Sequence, residues 1–111
     1  MQYRAIRVPV WDVYASFNGH PAVIVNLSKT GILLAMNRVT PVGDDEGFIG
    51  FEFDAGTWTL HGRVVREHVE KPTPRDHQPM WHVAVEFADD EHRTNDVVHM
   101  VMASQRFIHV A

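Results

Sequence analysis

The stretch Trp81-His82-Val83-Ala84-Val85-Glu86-Phe87 decides the fold, because large apolar side chains occupy every second position in it. A period of two is the pattern of a β-strand that has one face in a hydrophobic core and the other toward solvent. The stretch therefore predicts a half-buried strand in which Val83, Val85 and Phe87 point inward and His82 points outward.

Five further strands are predicted upstream of this stretch. Each is a short segment that alternates in the same way or is rich in branched apolar residues, and they cover residues 10–17, 22–25, 32–36, 51–53 and 58–64. The dipeptide Asn18-Gly19 and the tripeptide Asp54-Ala55-Gly56 are turn sequences that predict two hairpins. Six strands with short connections predict an all-β protein built as a small antiparallel barrel.

Two longer connections are predicted as loops. Residues 41–47 contain turn residues and three successive acidic side chains, and residues 70–80 contain three prolines, which cannot donate hydrogen bonds to a sheet. Within the strands, the alternation predicts which large side chains fill the barrel. These are Trp11, Phe51, Trp58, Val83, Val85 and Phe87.

After Phe87 the alternation of apolar residues stops, and the sequence predicts one helix. Acidic residues at Asp89-Asp90-Glu91 suit a helix N-terminus, and residues 95–106 lack Gly and Pro. One helical stripe, predicted to cover an open end of the barrel, contains Val97, Val98, Val101, Met102 and Gln105. The chain is thus predicted to be a single domain, with residues 1–8 as an N-terminal arm, residues 9–88 as the barrel and residues 89–106 as the terminal helix.

Composition and charge exclude several classes of functional site and binding partner. The chain has 111 residues, a net charge of −4 and no cysteine, so thiol nucleophiles, disulfides and thiolate metal sites are excluded. Up to residue 38 there are four basic residues against one acidic residue, and after it six against thirteen. This distribution argues against binding to long DNA or RNA and favours a small anion near the N-terminal third. No apolar run approaches the roughly 20 residues of a membrane span, so we expect a cytoplasmic protein with no membrane insertion.

Two segments carry residues suited to an anionic ligand. Asn26-Leu27-Ser28-Lys29-Thr30-Gly31 joins two predicted strands and presents small polar residues at a bend, where Gly31 permits a close backbone approach. An ordinary turn explains this segment equally well. The arm Tyr3-Arg4-Ala5-Ile6-Arg7 carries two guanidinium groups, whose paired donors match phosphate oxygens and guanine edges.

Together these segments resemble the PilZ family of cyclic di-GMP receptors. The family signature is an arginine cluster written RxxxR, often RRxxR, followed by [D/N]xSxxG, and Asn26, Ser28 and Gly31 match every defined position of the second motif. Arg4 and Arg7 match the second and last arginines of RRxxR, while Tyr3 stands where the first arginine would be. Gly62-Arg63-Val64-Val65-Arg66 and the stretch from Trp81 to Phe87 are similar to the later strands of the family's barrel.

The resemblance implies a six-stranded antiparallel PilZ-type β-barrel with a C-terminal α-helix, and a receptor that couples cyclic di-GMP binding to a partner protein or fused domain. It implies ligand contacts by Arg4, Arg7, Asn26, Ser28 and Gly31. The arginines would take phosphates and guanine Hoogsteen edges, and Asn26 and Ser28 would hydrogen-bond guanine or phosphate. Tyr3 and Lys29 are possible additional contacts, Tyr3 by stacking or its hydroxyl and Lys29 by screened attraction.

Other classes of function fit the sequence less well. Histidine pairs such as His77 with His82 or His61 with His68 match no metal-ligand spacing, so surface histidines and no metal or cofactor are expected. No nucleophile with a neighbouring base and no phosphate-binding glycine loop is found, so we expect no enzymatic activity. An oligonucleotide-binding barrel would need aromatic residues on its outer face, whereas most aromatic residues here are predicted to face inward. The alternative that stays open is a PilZ-like protein interaction module that has lost nucleotide binding because Tyr3 replaces an arginine.

Overall fold

Six antiparallel strands close into a barrel in the computed structural model, which describes residues 9–37, 46–54, 56–70 and 80–105. The strands are β1 (Tyr14–Phe17), β2 (His20–Leu27), β3 (Gly31–Asn37), β4 (Glu46–Phe53), β5 (Gly56–Glu70) and β6 (Met80–Phe87), followed by helix α1 (Glu91–Ser104). Their order around the barrel is β1-β2-β3-β6-β5-β4. The predicted fold class, an antiparallel six-stranded barrel with a C-terminal helix, is confirmed.

The barrel interior is filled by the side chains that alternate along the strands. Phe51, Val83 and Val85 are buried as predicted, while Trp58 and Phe87 are half-buried and pack against the core. The most completely buried side chains are Phe17, Leu27, Leu34, Met36, Ile49, Phe51, Leu60, Val83, Val85 and Val101. Burial of each of these side chains stabilises the fold by about 1.5–3 kcal/mol relative to exposure.

The prediction that Trp11 points inward is wrong. Strand β1 begins only at Tyr14, and Asp12 has a φ of 57°, which interrupts the extended backbone ahead of it. Trp11 is 58% exposed. Its backbone N–H donates to Oε1 of Gln105 at 2.7 Å, and its carbonyl accepts from Nε2 of Gln105 at 2.8 Å. A side chain on the helix therefore takes the backbone groups that a sheet ladder would have paired.

The loop predicted over residues 41–47 overlaps β4, and residues 41–45 of this prediction lie outside the described residues. Glu46 and Gly47 already belong to β4, where they pair with Arg63 and Gly62 of β5. Strand β5 is 15 residues long, so its backbone groups pair with β4 residues that precede residues 51–53, the apolar run from which β4 was predicted. Of the loop predicted over residues 70–80, Glu70 and Met80 pair with each other in β5 and β6, and residues 71–79 lie outside the described residues.

Helix α1 continues the core. Val97, Val98 and Val101 are buried in the same cluster as the barrel residues, Met102 is half-buried, and Gln105 is buried at the C-cap. Residue 106, which the prediction included, lies outside the described residues. No helix within the described ranges is long and apolar enough to cross a membrane.

Two aspartates fix the start of this helix against β5. Asp90 is the N-cap, and its carboxylate accepts the backbone N–H of Arg93 at 3.0 Å. Asp89 accepts the backbone N–H of His61 at 2.8 Å and that of Asp90 at 2.8 Å. The hydrogen bond from His61 is the main cause that lowers the pKa of Asp89 below its ordinary value of 3.8.

Gly31 begins β3 at the place where β3 meets β6. A Cβ at this position would lie 2.6 Å from the carbonyl oxygen of Val85, which is backbone and cannot turn aside. The close approach expected of Gly31 is therefore an approach to the protein's own strand.

We expect Gly31→Ala to lower the free energy of unfolding by about 1–3 kcal/mol, because the added methyl group pushes β3 away from β6. Urea denaturation measures this difference. Lys29→Ala, at an exposed position of the same bend, serves as the control and should cost under about 0.5 kcal/mol. Equal midpoints for Gly31→Ala and the wild type would contradict the packing described.

We expect Asp89→Asn to lower the free energy of unfolding by about 1 kcal/mol near neutral pH, since the charged acceptor of two N–H groups is lost. A lowered pKa stabilises the fold above the ordinary value of 3.8. That contribution disappears as the pH falls through the lower pKa of the folded state. Urea denaturation at pH 7 and at successively lower pH measures this contribution. The difference in free energy of unfolding between Asp89→Asn and the wild type should shrink as the pH falls. Asp96→Asn is the control and should show little difference from the wild type at pH 7.

Candidate functional site

A groove of about 510 Å³ lies on the outer face of the barrel, where β2, β3, β6 and β5 run side by side. The bend between β2 and β3 forms one end of it. It is lined by Asn26, Ser28, Thr30, Gly31, Ile32, Leu33, Val65, Ala84, Val85 and Glu86. All three residues of the [D/N]xSxxG motif are therefore brought together at one concave surface.

Strand register builds the floor of this groove. Asn26 pairs with Leu33, Leu33 with Ala84, and Ala84 with Arg66, so one row of residues crosses four strands. The register shifts between Ile24 and Asn26 and again between Val64 and Arg66. Such bulges bend and twist a strand and change where its side chains point. The second bulge leaves Val65 exposed at the edge of the groove.

Ser28 is buried, and its side chain organises the bend. Its Oγ accepts the backbone N–H groups of Thr30 and Gly31, each at 3.2 Å. Its own backbone N–H donates to the carbonyl of Gly31 at 2.9 Å. These hydrogen bonds are those of a Ser-based turn. The turn interpretation thus accounts for Ser28, and this hydroxyl shapes the groove from within.

Asn26 is the motif residue whose side chain is best placed for a ligand. It is half-buried and lines the groove, and within the described part of the chain its amide has no hydrogen-bond partner. An amide offers both a donor pair and an acceptor, so it can meet the edge of a base or a phosphate oxygen.

The charge of the groove comes from Glu86 and from two arginines beside it. Glu86 is exposed and lines the groove, whereas no Lys or Arg does so among the described residues. Arg63 pairs with Glu86 across the β5–β6 ladder, and Arg66 is exposed next to Ala84. Sequence reasoning missed both arginines as site residues. Alternation along β5 already places Arg63 on the outer face, whereas Arg66 reaches it only through the register shift around Val65, which alternation does not reveal.

The other predicted site residues are placed differently. Lys29 lies against α1, in a pocket of about 350 Å³ that it shares with Asp96 and His99, and it does not line the groove. Tyr3, Arg4 and Arg7, with the whole predicted arm, lie outside the described residues. The groove therefore contains three of the predicted contact residues, Asn26, Ser28 and Gly31.

The histidines pair in a way that the sequence did not indicate. His68 and His82 face each other across β5 and β6, with ring centroids 4.9 Å apart. His77, the other partner suggested for His82, lies outside the described residues. His61 instead contacts the ring of Phe48, with centroids 5.3 Å apart. Within the described ranges, no three His, Asp or Glu side chains are grouped so that they could hold a metal ion.

Comparison with known proteins gives structural likeness without sequence likeness. The chain matches no protein-family model and no curated protein sequence. Among solved structures, an uncharacterized Legionella protein, Lpg0364, is similar with a TM-score of 0.64 and 15% identity. The match covers 93% of this chain and 97% of that one.

A second solved structure is PlzA of Borreliella burgdorferi in complex with c-di-GMP. Its TM-score is 0.54 at 12% identity, over 83% of this chain and 43% of PlzA. Identities of this size show the fold alone. The closed six-stranded barrel with its C-terminal helix is therefore a PilZ-type fold.

Proposed function

We propose that this chain is a receptor domain that binds cyclic di-GMP in the groove at Asn26, Ser28 and Gly31. The observation that carries the proposal is that the whole [D/N]xSxxG motif lines one groove of about 510 Å³ on the outer face of a barrel. A volume in this range is typical of sites for small molecules. The structural likeness to PlzA, which was solved with c-di-GMP, supports the same ligand.

The chemistry of the ligand decides which residues must act. Cyclic di-GMP carries two phosphates, and the described lining of the groove carries the carboxylate of Glu86 and no cation. The charge of the ligand therefore has to be met by residues beside the lining. We assign Arg4 and Arg7 to phosphate oxygens and guanine Hoogsteen edges, with Arg63 and Arg66 as a weaker, screened attraction.

The remaining contacts have separate roles in the proposal. The Asn26 amide would hydrogen-bond guanine or phosphate, and Ser28 would act by holding the bend that presents Asn26 and the backbone of Gly31. Binding would order residues 1–8 against the barrel and change the surface offered to a partner protein or a fused domain. This is a switch, and it requires no catalytic step.

Affinity measurements on single variants test the proposal. Arg7→Ala should weaken binding of cyclic di-GMP by roughly 2–4 kcal/mol, because charge-assisted hydrogen bonds and a stacking surface are lost together. Arg7→Lys should recover little, since lysine restores the charge without the paired donors. Asn26→Ala should cost about 1–2 kcal/mol of binding energy without loss of fold stability. Calorimetric titration at fixed, moderate salt measures all three.

Two further variants separate the possible failures. Ser28→Ala should lower both affinity and the free energy of unfolding, each by about 1 kcal/mol, because the turn loses its acceptor. Tyr3→Arg rebuilds the first arginine of the family signature and should strengthen binding. If neither Tyr3→Arg nor the folded wild type binds, the receptor proposal fails and the protein interaction module replaces it.

Hydrogen exchange tests the switch itself. Saturating cyclic di-GMP should slow amide exchange in residues 1–8, because ordered amides exchange more slowly than solvated ones. The amides of α1, on which the proposal places no ligand, provide the internal reference. Unchanged exchange in residues 1–8 at saturation would reject the proposed mechanism while leaving binding intact.

A further inference from the structure

A second groove, of about 760 Å³, lies on the outside of β1, β2 and β3. Three large side chains on its walls face solvent: Trp11 is 58% exposed, Tyr14 is 79% exposed and Val23 is 64% exposed. We call these three residues, with Asp12 and Glu52, the Trp11 surface. Exposed aromatic residues gathered at one concavity mark an interaction site more often than scattered ones do.

The backbone of the Trp11 surface is fixed by the helix. Both backbone groups of Trp11 are hydrogen-bonded to the amide of Gln105, at 2.7 and 2.8 Å, and Gln105 itself is buried. Asp12 follows in the left-handed region with a φ of 57°. The fold therefore holds this segment in one conformation and leaves the indole in water. Because this backbone is already fixed, docking of a partner on the indole costs little further backbone ordering.

Charge identifies the kind of partner. Asp12 and Glu52 line the groove, and Glu52 pairs directly with Tyr14 across β1 and β4. The described lining includes no Lys or Arg to neutralise them. Aromatic faces beside carboxylates attract cations, because the ring quadrupole and the negative charges act in the same direction.

We propose that the Trp11 surface docks a peptide segment of a partner protein in which Arg or Lys side chains stand next to aliphatic ones. The cationic groups would lie over Trp11 and Tyr14, near Asp12 and Glu52. The aliphatic groups would contact Val23 and the apolar wall around it. A second copy of this chain would bring the same carboxylates together, and an anionic membrane would face them, so charge opposes both occupants.

This surface extends the proposed function, because it supplies the contact through which a receptor could address its partner. Both grooves are built on β2 and β3. Val23 and Ala35, which line the second groove, pair with each other, and so do Asn26 and Leu33, which line the first. Docking does not require the nucleotide, and its test contains none.

The test is an NMR titration of the full chain, labelled with ¹⁵N, with acetyl-Arg-Ile-Arg-Val-amide. The indole N–H signal of Trp11 and the amides of Tyr14 and Glu52 should shift in a saturable way. The indole signals of Trp58 and Trp81 should stay in place. Acetyl-Glu-Ile-Glu-Val-amide, with opposite charge and the same aliphatic residues, should produce no saturable shift.

Variants then assign the binding to this surface. Trp11→Ala should lower the affinity for the basic peptide about fivefold, and Glu52→Gln should lower it about threefold, in line with exposed cation–π and ion-pair contributions. Phe48→Ala is the matched control, because Phe48 is 57% exposed on β4 yet lines neither groove, and it should leave affinity unchanged. Equal shifts with the acidic peptide, equal weakening by Phe48→Ala, or no shift at about 10 mM peptide would each overturn the proposal. None of these outcomes bears on cyclic di-GMP binding.

Discussion

Pairing of β3 with β6 is the constraint on which the rest of the structure depends. The meander β1-β2-β3 and the meander β4-β5-β6 are each built from neighbours in sequence, and the β3–β6 and β1–β4 ladders join them into a closed barrel. Closure removes the free edges that an open sheet would expose. The β3–β6 ladder begins at Gly31, where a side chain would collide with the carbonyl of Val85. The absence of a side chain at Gly31 thus lets β3 approach β6 closely at the start of this ladder.

The local features of the fold could be predicted from the sequence, because each depends on neighbouring residues alone. The strict alternation from Trp81 to Phe87 defines an inward and an outward face, and Asp54-Ala55-Gly56 marks a turn. Trp11 was mispredicted because its position depends on a residue that is distant in the sequence. Its alternation continues that of β1, but the backbone partner that holds it is Gln105, which is 94 positions away in the sequence.

The candidate site shows the same division between local and distant effects. The motif residues Asn26, Ser28 and Gly31 were recognised by spacing, and the structure brings them to one groove. Motif spacing could not reveal that Arg66 lies beside the groove or that Lys29 lies outside it. Arg66 reaches the outer row only because a bulge shifts the register, and Lys29 turns toward α1, whose location depends on the closed barrel.

The two grooves on the outer face differ in what they offer. The first combines a polar motif with one exposed carboxylate, and needs cations from elsewhere to hold a phosphate. The second combines apolar and aromatic walls with two carboxylates. Because both are built on β2 and β3, a change of twist in these two strands would alter both surfaces at once.

The hydrogen bonds between Trp11 and Gln105 also determine how this barrel can be connected to other chains. They place the beginning of the described barrel and the end of its helix within 3 Å of each other at the bonded atoms. A fold whose entry and exit are adjacent can be carried inside a surface loop of another protein without separating the two ends of that loop. The same proximity favours circular permutation between these two positions, because a short linker suffices to join residues near Trp11 and Gln105.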